Sequence, residues 1–180
     1  MKAVLDACVL YPTVLREILI GAAEAGLYVP LWSERILEEW ARATAKLGPG
    51  EQAFARREIT VLKAAFPGAC VTRHQGLEAR LYLPDENDIH VLATAIAGGA
   101  DAIVTLNASD FPRGVLAGEG LARRDPDGFL WELWSHHPGV IAAVAEAARA
   151  RAEQALATPQ PMRALLKRAR LPRLGKALAP

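Results

Sequence analysis

The sequence predicts an α/β protein built on a parallel sheet, followed by helices alone. Three observations carry this. Up to about residue 125, short apolar runs alternate with segments whose apolar residues recur at helical spacing. From Asp125-Pro126 onward only the helical pattern remains. Acidic residues follow the short runs, and an open parallel sheet binds its ligands outside the C-terminal ends of its strands.

The elements follow in order. Ala3, Val4 and Leu5 form a short buried strand ending at Asp6. Pro12 opens a helix as its first-turn proline, with Val14, Leu15, Ile18, Leu19 and Ala22 on one face, and Gly26 stops it. Residues 27–31 are a second strand. Ser33 caps the next helix, whose core side carries Ile36, Leu37, Trp40, Ala41 and Thr44, and Gly48-Pro49-Gly50 ends it. A third helix spans 51–66, and residues 69–72 are a weak third strand. The loop Pro84-Asp85-Glu86-Asn87-Asp88 delivers a helix bearing Ile89, Leu92, Ala93, Ile96 and Ala97, which Gly98-Gly99 closes. Residues 102–105 are a strong buried strand and 121–123 an edge strand. Helical crossovers suit parallel neighbours. The chain divides into 1–125 and a helical extension, 126–180, which is too small to bury much alone.

Composition excludes several classes. The 180 residues carry 21 Lys+Arg against 20 Asp+Glu, so neither a strongly basic nucleic-acid coat nor an acidic tail is expected. The charge is uneven: residues 1–140 hold 13 basic and 18 acidic side chains, whereas 141–180 hold 8 and 2. Charge-free runs fall short of the ~20 residues that span a bilayer, and no membrane association is expected. The early Asp6 argues against a signal peptide. Two cysteines, Cys8 and Cys70, make neither a disulfide scaffold nor a zinc cluster. A cytoplasmic protein is the expectation.

The chemistry lies in the acids. Asp6 ends the first strand, Asp85 and Asp88 stand at a helix start, and Asn107 and Asp110 follow Thr105 at the end of the strong strand. Glu38 and Glu39 flank the apolar face of their helix almost equally, and the helical wheel does not choose between them. Held together, such carboxylates repel one another unless a cation lies between them. Oxygen donors without Cys or His favour Mg²⁺ or Mn²⁺, and clustered carboxylates holding such ions suit phosphodiester hydrolysis. Each acid also has a plain structural role open to it: Asp6 as a turn residue, Asp85 or Asp88 as a helix cap, Asp110 as the opening of a turn before Pro112.

Four segments carry a family resemblance: Val4-Leu5-Asp6-Ala7-Cys8, Ser33-Glu34-Arg35-Ile36-Leu37-Glu38-Glu39-Trp40, Asp85-Glu86-Asn87-Asp88-Ile89-His90, and Ile103-Val104-Thr105-Leu106-Asn107-Ala108-Ser109-Asp110. In this order and spacing they resemble a PIN domain of the VapC-type toxin ribonucleases, and the tail is similar to the C-terminal extension of one VapC subgroup. The resemblance implies a three-layer α/β/α fold with a central parallel sheet, and Mg²⁺- or Mn²⁺-dependent endoribonuclease activity. It also implies an RNA substrate, a cognate antitoxin and a homodimer. Carried over residue by residue, it puts the catalytic and metal-binding acids at Asp6, Glu39, Asp88 and Asp110. It selects Glu39 because the family's acid precedes the bulky residue, and Asp88 because it precedes the Ala-rich helix. Many relatives have Asp where this chain has Asn107, so either Asn107 or Asp110 is the fourth site residue. Thr105 and Ser33 are supporting residues.

Arg16, one turn into the first helix, is a candidate phosphate contact or a plain surface arginine. The basic tail residues Arg163, Lys167, Arg168, Arg170, Arg173 and Lys176 suit RNA phosphates, an acidic antitoxin or a solvated helix face. Competing functions are a catalytically silent binding module, a DNA-directed nuclease of the same fold, and a phosphotransfer enzyme. The last lacks the second Asp two residues after Asp6, where Cys8 stands.

Overall fold

The computed structural model describes residues 1–179. The elements are β1 (Lys2–Leu5), α1 (Ala7–Leu10), α2 (Thr13–Glu24), β2 (Val29–Leu31), α3 (Glu34–Thr44), α4 (Glu51–Ala65), α5 (Gln75–Glu78), α6 (Ile89–Ala97), β3 (Ala102–Val104), α7 (Arg113–Gly118), β4 (Ala122–Arg124), α8 (Pro126–His136), α9 (Pro138–Leu156), α10 (Met162–Arg168) and α11 (Pro172–Leu178). They fall into two compact units. The first comprises residues 1–11 and 29–124, the second residues 12–28 and 125–180.

The first unit holds a four-stranded sheet in the order β2-β1-β3-β4, parallel throughout. With its flanking helices it is the α/β/α arrangement expected. The central strands β1 and β3 bury every residue except Lys2, which is why they read as unbroken apolar runs. Helix α6 packs on both central strands, α3 packs on α1 and α4, and α7 lies against β4. Trp32, Trp40, Phe111, Ile36, Leu37 and Leu83 are fully buried. Gly98 follows α6 where a Cβ would come within 2.9 Å of the Leu31 side chain and 3.1 Å of the Thr94 carbonyl, so a larger residue would crowd the chain as it leaves the helix.

Four details differ from the sequence reading. Pro12 is not in the first turn but stands outside it, with extended backbone as the N-cap of α2. A one-turn helix, α1, precedes it, started where Asp6 leaves β1. The weak strand at 69–72 reduces to one parallel bridge between Trp32 and Cys70. Helix α7 was not anticipated, because Gly114 and Gly118 mask six residues that are too few to show a period.

The second unit is helical. Helix α9 packs on α2, α8 and α10, and α11 packs on α8 and α10. Helix α2 closes in a Schellman motif: Gly26, at φ +77°, donates to the Ala23 carbonyl, and Leu27 donates to that of Ala22. Asp125 caps α8 by accepting from Gly128 N at 2.8 Å. Asp127 caps α11, accepting from the amides of Arg173 (2.8 Å) and Leu174 (3.0 Å), and Arg173 lies 3.6 Å over the Trp131 ring. No helix among the described residues is long and apolar enough to cross a membrane.

Candidate metal centre

Each acid owes its place to a short local device. Asp6 leaves β1 with its amide bonded to the Val104 carbonyl of β3, and its side chain is 6% exposed. Its Oδ2 accepts from the Thr105 hydroxyl at 2.7 Å and from the Cys8 thiol at 3.1 Å. Burial and the neighbouring Asp6 charge push the Cys8 pKa up to about 12, so the thiol stays protonated as a donor. The same Thr105 hydroxyl accepts from the Asn107 amide at 2.9 Å. Ser33 caps α3, accepting from Ile36 N, and so fixes the helix that carries Glu38 and Glu39.

Those two glutamates part company. Glu38 pairs with Arg42 and Arg56, both 2.8 Å away on the exposed side between α3 and α4, and these guanidiniums hold its carboxyl well below the usual range. Glu39 Oε1 lies 3.1 Å from Arg35 Nε and 2.9 Å from His90 Nε2. The His90 contact is at ion-pair distance but out of line for a hydrogen bond, and neither ring nitrogen has a hydrogen-bond partner. Burial works to raise the Glu39 pKa, but the His90 and Arg35 side chains outweigh it and the carboxyl titrates below its ordinary value. Arg35 also donates to the Asn87 carbonyl at 3.2 Å, tying α3 to the turn that carries Asp88.

That turn, Glu86–Asp88, is a 3-10 helix capped by Asp85, whose Oδ1 accepts from Asn87 N at 2.9 Å. Asp85 and Asp88 stand at the two ends of this turn, where the Asp88 amide donates to the Asp85 carbonyl at 3.1 Å. Asn107 Nδ2 donates to Asp110 Oδ2 and, at 3.4 Å, to Asp88 Oδ2. The loop bearing Asp110 is anchored by the fully buried Phe111 and by Arg123 of β4, which donates to the carbonyls of Ala108 (2.6 Å) and Phe111 (3.2 Å).

The carboxylate oxygens of Asp85, Asp88 and Asp110 come within 4.8 Å of one another. Asp88 registers the whole group: burial, then the charges of Asp6, Asp85, Asp110 and Glu39, push its pKa up to about 6. Three carboxyls thus cluster, and Asp6 and Glu39 lie near enough for their charges to act on Asp88. A matching family model adds to this: that of the PIN domain covers residues 2–109, more than half the chain. The chain belongs to the PIN-domain family. No curated protein and no solved structure matched.

The matched segment of the PIN domain includes Asp6, Glu39, Asp88 and Asn107 and stops one residue before Asp110. PIN domains are generally Mg²⁺-dependent nucleases, and the donors here fit such an ion. All are hard oxygens, and the raised pKa of Asp88 reports burial together with a repulsion from the neighbouring acids that a divalent cation relieves. Asp85 is the acid that the resemblance passed over in favour of Asp88 and that had a capping role open to it. It is a cap, and it also joins the cluster; its spacing of three from Asp88 was the available signal. Cys8, Arg35 and Arg123 were missed because each acts through another residue. Arg16 belongs to the second unit and is 5% exposed, so it is not a surface arginine there.

Proposed function

We propose that this PIN domain is a metal-dependent endoribonuclease of the VapC type, acting as the toxin of a toxin–antitoxin pair. The observation that carries the reading is the cluster of Asp85, Asp88 and Asp110, whose carboxylate oxygens come within 4.8 Å of one another, with Asp88 pushed up to about 6 by burial and by the charges of Asp6, Asp85, Asp110 and Glu39. Asp85, Asp88 and Asp110 are the residues to hold Mg²⁺ or Mn²⁺, with Asp6 and Glu39 completing the negative pocket. Held there, such an ion would supply Lewis acidity to activate water and positive charge to offset the charge that builds on the phosphate. The chain's own residues prepare the site. Thr105 and Cys8 aim the Asp6 carboxylate, Arg35 and His90 hold Glu39, and Asn107 spaces Asp88 from Asp110.

RNA as the substrate, an antitoxin that blocks the site and a homodimer rest on the resemblance to VapC toxins, and a cytoplasmic setting rests on the cysteine usage and the early Asp6. In this reading residues 1–125 perform the chemistry. The exposed Arg163, Lys167, Arg170 and Lys176 of the extension supply cations for RNA or for an acidic antitoxin. The test is cleavage of total RNA by purified protein with Mg²⁺, with Mn²⁺ and with chelator, beside Asp6→Asn. Discrete metal-dependent fragments that vanish in the variant support the reading. Cleavage of DNA alone gives the DNA nuclease, and no cleavage of either gives the silent binding module.

A further inference from the structure

A pocket of about 420 Å³ opens within the first unit where the start of α3, residues 70–74 and α6 meet. The site acids Asp6, Glu39, Asp85, Asp88 and Asp110 are not among its walls, though Arg35 and His90, which hold Glu39, are. Its walls include Arg35, Val71, Thr72, Arg73, His90 and Thr94. Its size falls within the roughly 300–1,000 Å³ of small-molecule sites. His90 is 4% exposed and its Nδ1 has no hydrogen-bond partner, an uncommon state for a buried ring nitrogen. The same ring stands 2.9 Å from Glu39, so the pocket is one side chain removed from the acidic cluster.

The chemistry of the walls limits what enters. The charged groups at the pocket are already paired: Arg35 with Glu39, Arg73 with Glu78, and Glu34 with Lys63. No cation is left over for a phosphate. What the pocket offers is apolar surface from Val71 and Ala93, the guanidinium plane of Arg73, and behind them the nearly covered His90 ring with an unsatisfied nitrogen. Those are the features that receive an unstacked base, which proteins hold on His or Arg planes and read by hydrogen bonds to its edge.

We infer that this pocket seats one nucleobase of the substrate strand beside the phosphate held at the acids, with His90 as the group that reads it. The inference rests on the nuclease reading. It makes cleavage depend on the base at one position flanking the cut bond.

Thr72 is exposed at the pocket and touches none of the acids, so Thr72→Trp fills the space without disturbing the metal site. Wild type and variant are compared on a pool of randomised oligoribonucleotides, with Mn²⁺ binding measured on both. Wild type is expected to show a base preference at one flanking position. The variant is expected to lose that preference and at least about tenfold in kcat/KM on the preferred sequence, within the range that stacking of one base supplies, with Mn²⁺ affinity unchanged. Cutting by wild type without any base preference overturns the inference, as does a variant with the wild-type preference and rate. If wild type cuts no RNA, the nuclease reading fails by itself and the pocket is read separately. Adenosine, guanosine, cytidine and uridine are then titrated against the methyl resonances of Val71 and Thr94. A shift with any of them, absent in Thr72→Trp, upholds a base site, and no shift with all four removes it.

Discussion

Thr105 Oγ1 donates a 2.7 Å hydrogen bond to Asp6 Oδ2 across a separation of 99 residues. The same oxygen accepts the Asn107 amide, so a single hydroxyl sets both the first acid and the start of the loop that carries Asp110. Thr105→Val keeps the shape and removes both bonds. A hydrogen bond to a charged group is worth roughly 1.5–3 kcal/mol, so kcat is expected to fall by about ten- to a hundredfold with KM little changed. Thr105→Ser should restore most of it. Steady-state cleavage of an RNA oligonucleotide decides, and unchanged kcat in Thr105→Val would remove the hydroxyl from any positioning role.

The raised pKa of Asp88 makes stability depend on pH in a defined direction. Its ordinary value is 3.8 and the folded value is about 6, so the folded protein holds this proton more tightly than the unfolded chain does. The stability from that difference is fully present below pH about 4 and is lost as pH rises through about 6. Metal-free wild type should therefore lose more stability between pH 5 and pH 7.5 than Asp88→Asn does. Mg²⁺ should raise the melting temperature of wild type at pH 7.5 and have little effect at pH 5. Calorimetry on both proteins, with and without Mg²⁺, reads the difference. Parallel pH curves for the two would show that Asp88 is not under this pressure.

Glu38 and Glu39 are adjacent in sequence and opposite in surroundings. Glu38→Gln loosens exposed ion pairs with Arg42 and Arg56, which contribute little in water. Its cleavage rate and melting temperature should stay near wild type. Glu39→Gln removes a charge from the acidic pocket and should cut cleavage by about a hundredfold or more, in line with losing one preorganised electrostatic group. Equal losses in the two variants would contradict this division.

Why the wheel did not separate these two glutamates is physical. Both border the buried face of α3, and what distinguishes them is the partner each meets: Arg56 from α4 for one, His90 from α6 for the other. Long-range partners leave no periodic trace. Asp6, by contrast, was legible because a buried strand that ends in an acid at a parallel sheet edge is a pattern of its own. So were the strands β1 and β3 and the capped helix α3, whose burial pattern follows directly from residue type. Asp85 caps its turn as read, and its place beside Asp88 and Asp110 was not legible because a cap and a ligand use the same carboxylate. The bridge at Cys70 was overread as a strand because four apolar-leaning residues do not show how many ladder bonds they will find.

Asp127 holds the last helix from outside it. Its two oxygens take the amides of Arg173 and Leu174, the first donors of α11, which have no partner within the helix. Asp127→Ala should cost about 1 kcal/mol, the usual loss on removing a cap. Urea unfolding followed by Trp131 and Trp134 fluorescence measures it. Cleavage should be unaffected, because the acids all lie in the first unit.

Asn107 tests how the cluster balances its charge. Its amide nitrogen donates to Asp88 and Asp110 at once, easing their repulsion with a neutral group. Asn107→Asp replaces that donor with a further carboxylate. Without metal, the new charge must repel Asp88 and Asp110, so the variant should melt below wild type at pH 7.5 and draw level at pH 5, where protonation relieves the strain. With metal the sign reverses. An added hard oxygen strengthens the hold on a divalent ion, so Mn²⁺ should bind more tightly, and a large excess of Mg²⁺ should recover the lost melting temperature. Titration calorimetry and thermal melts give both numbers. Weaker Mn²⁺ binding in Asn107→Asp would show that the added carboxylate does not reach the ion and that the Asn107 amide serves only to space Asp88 from Asp110.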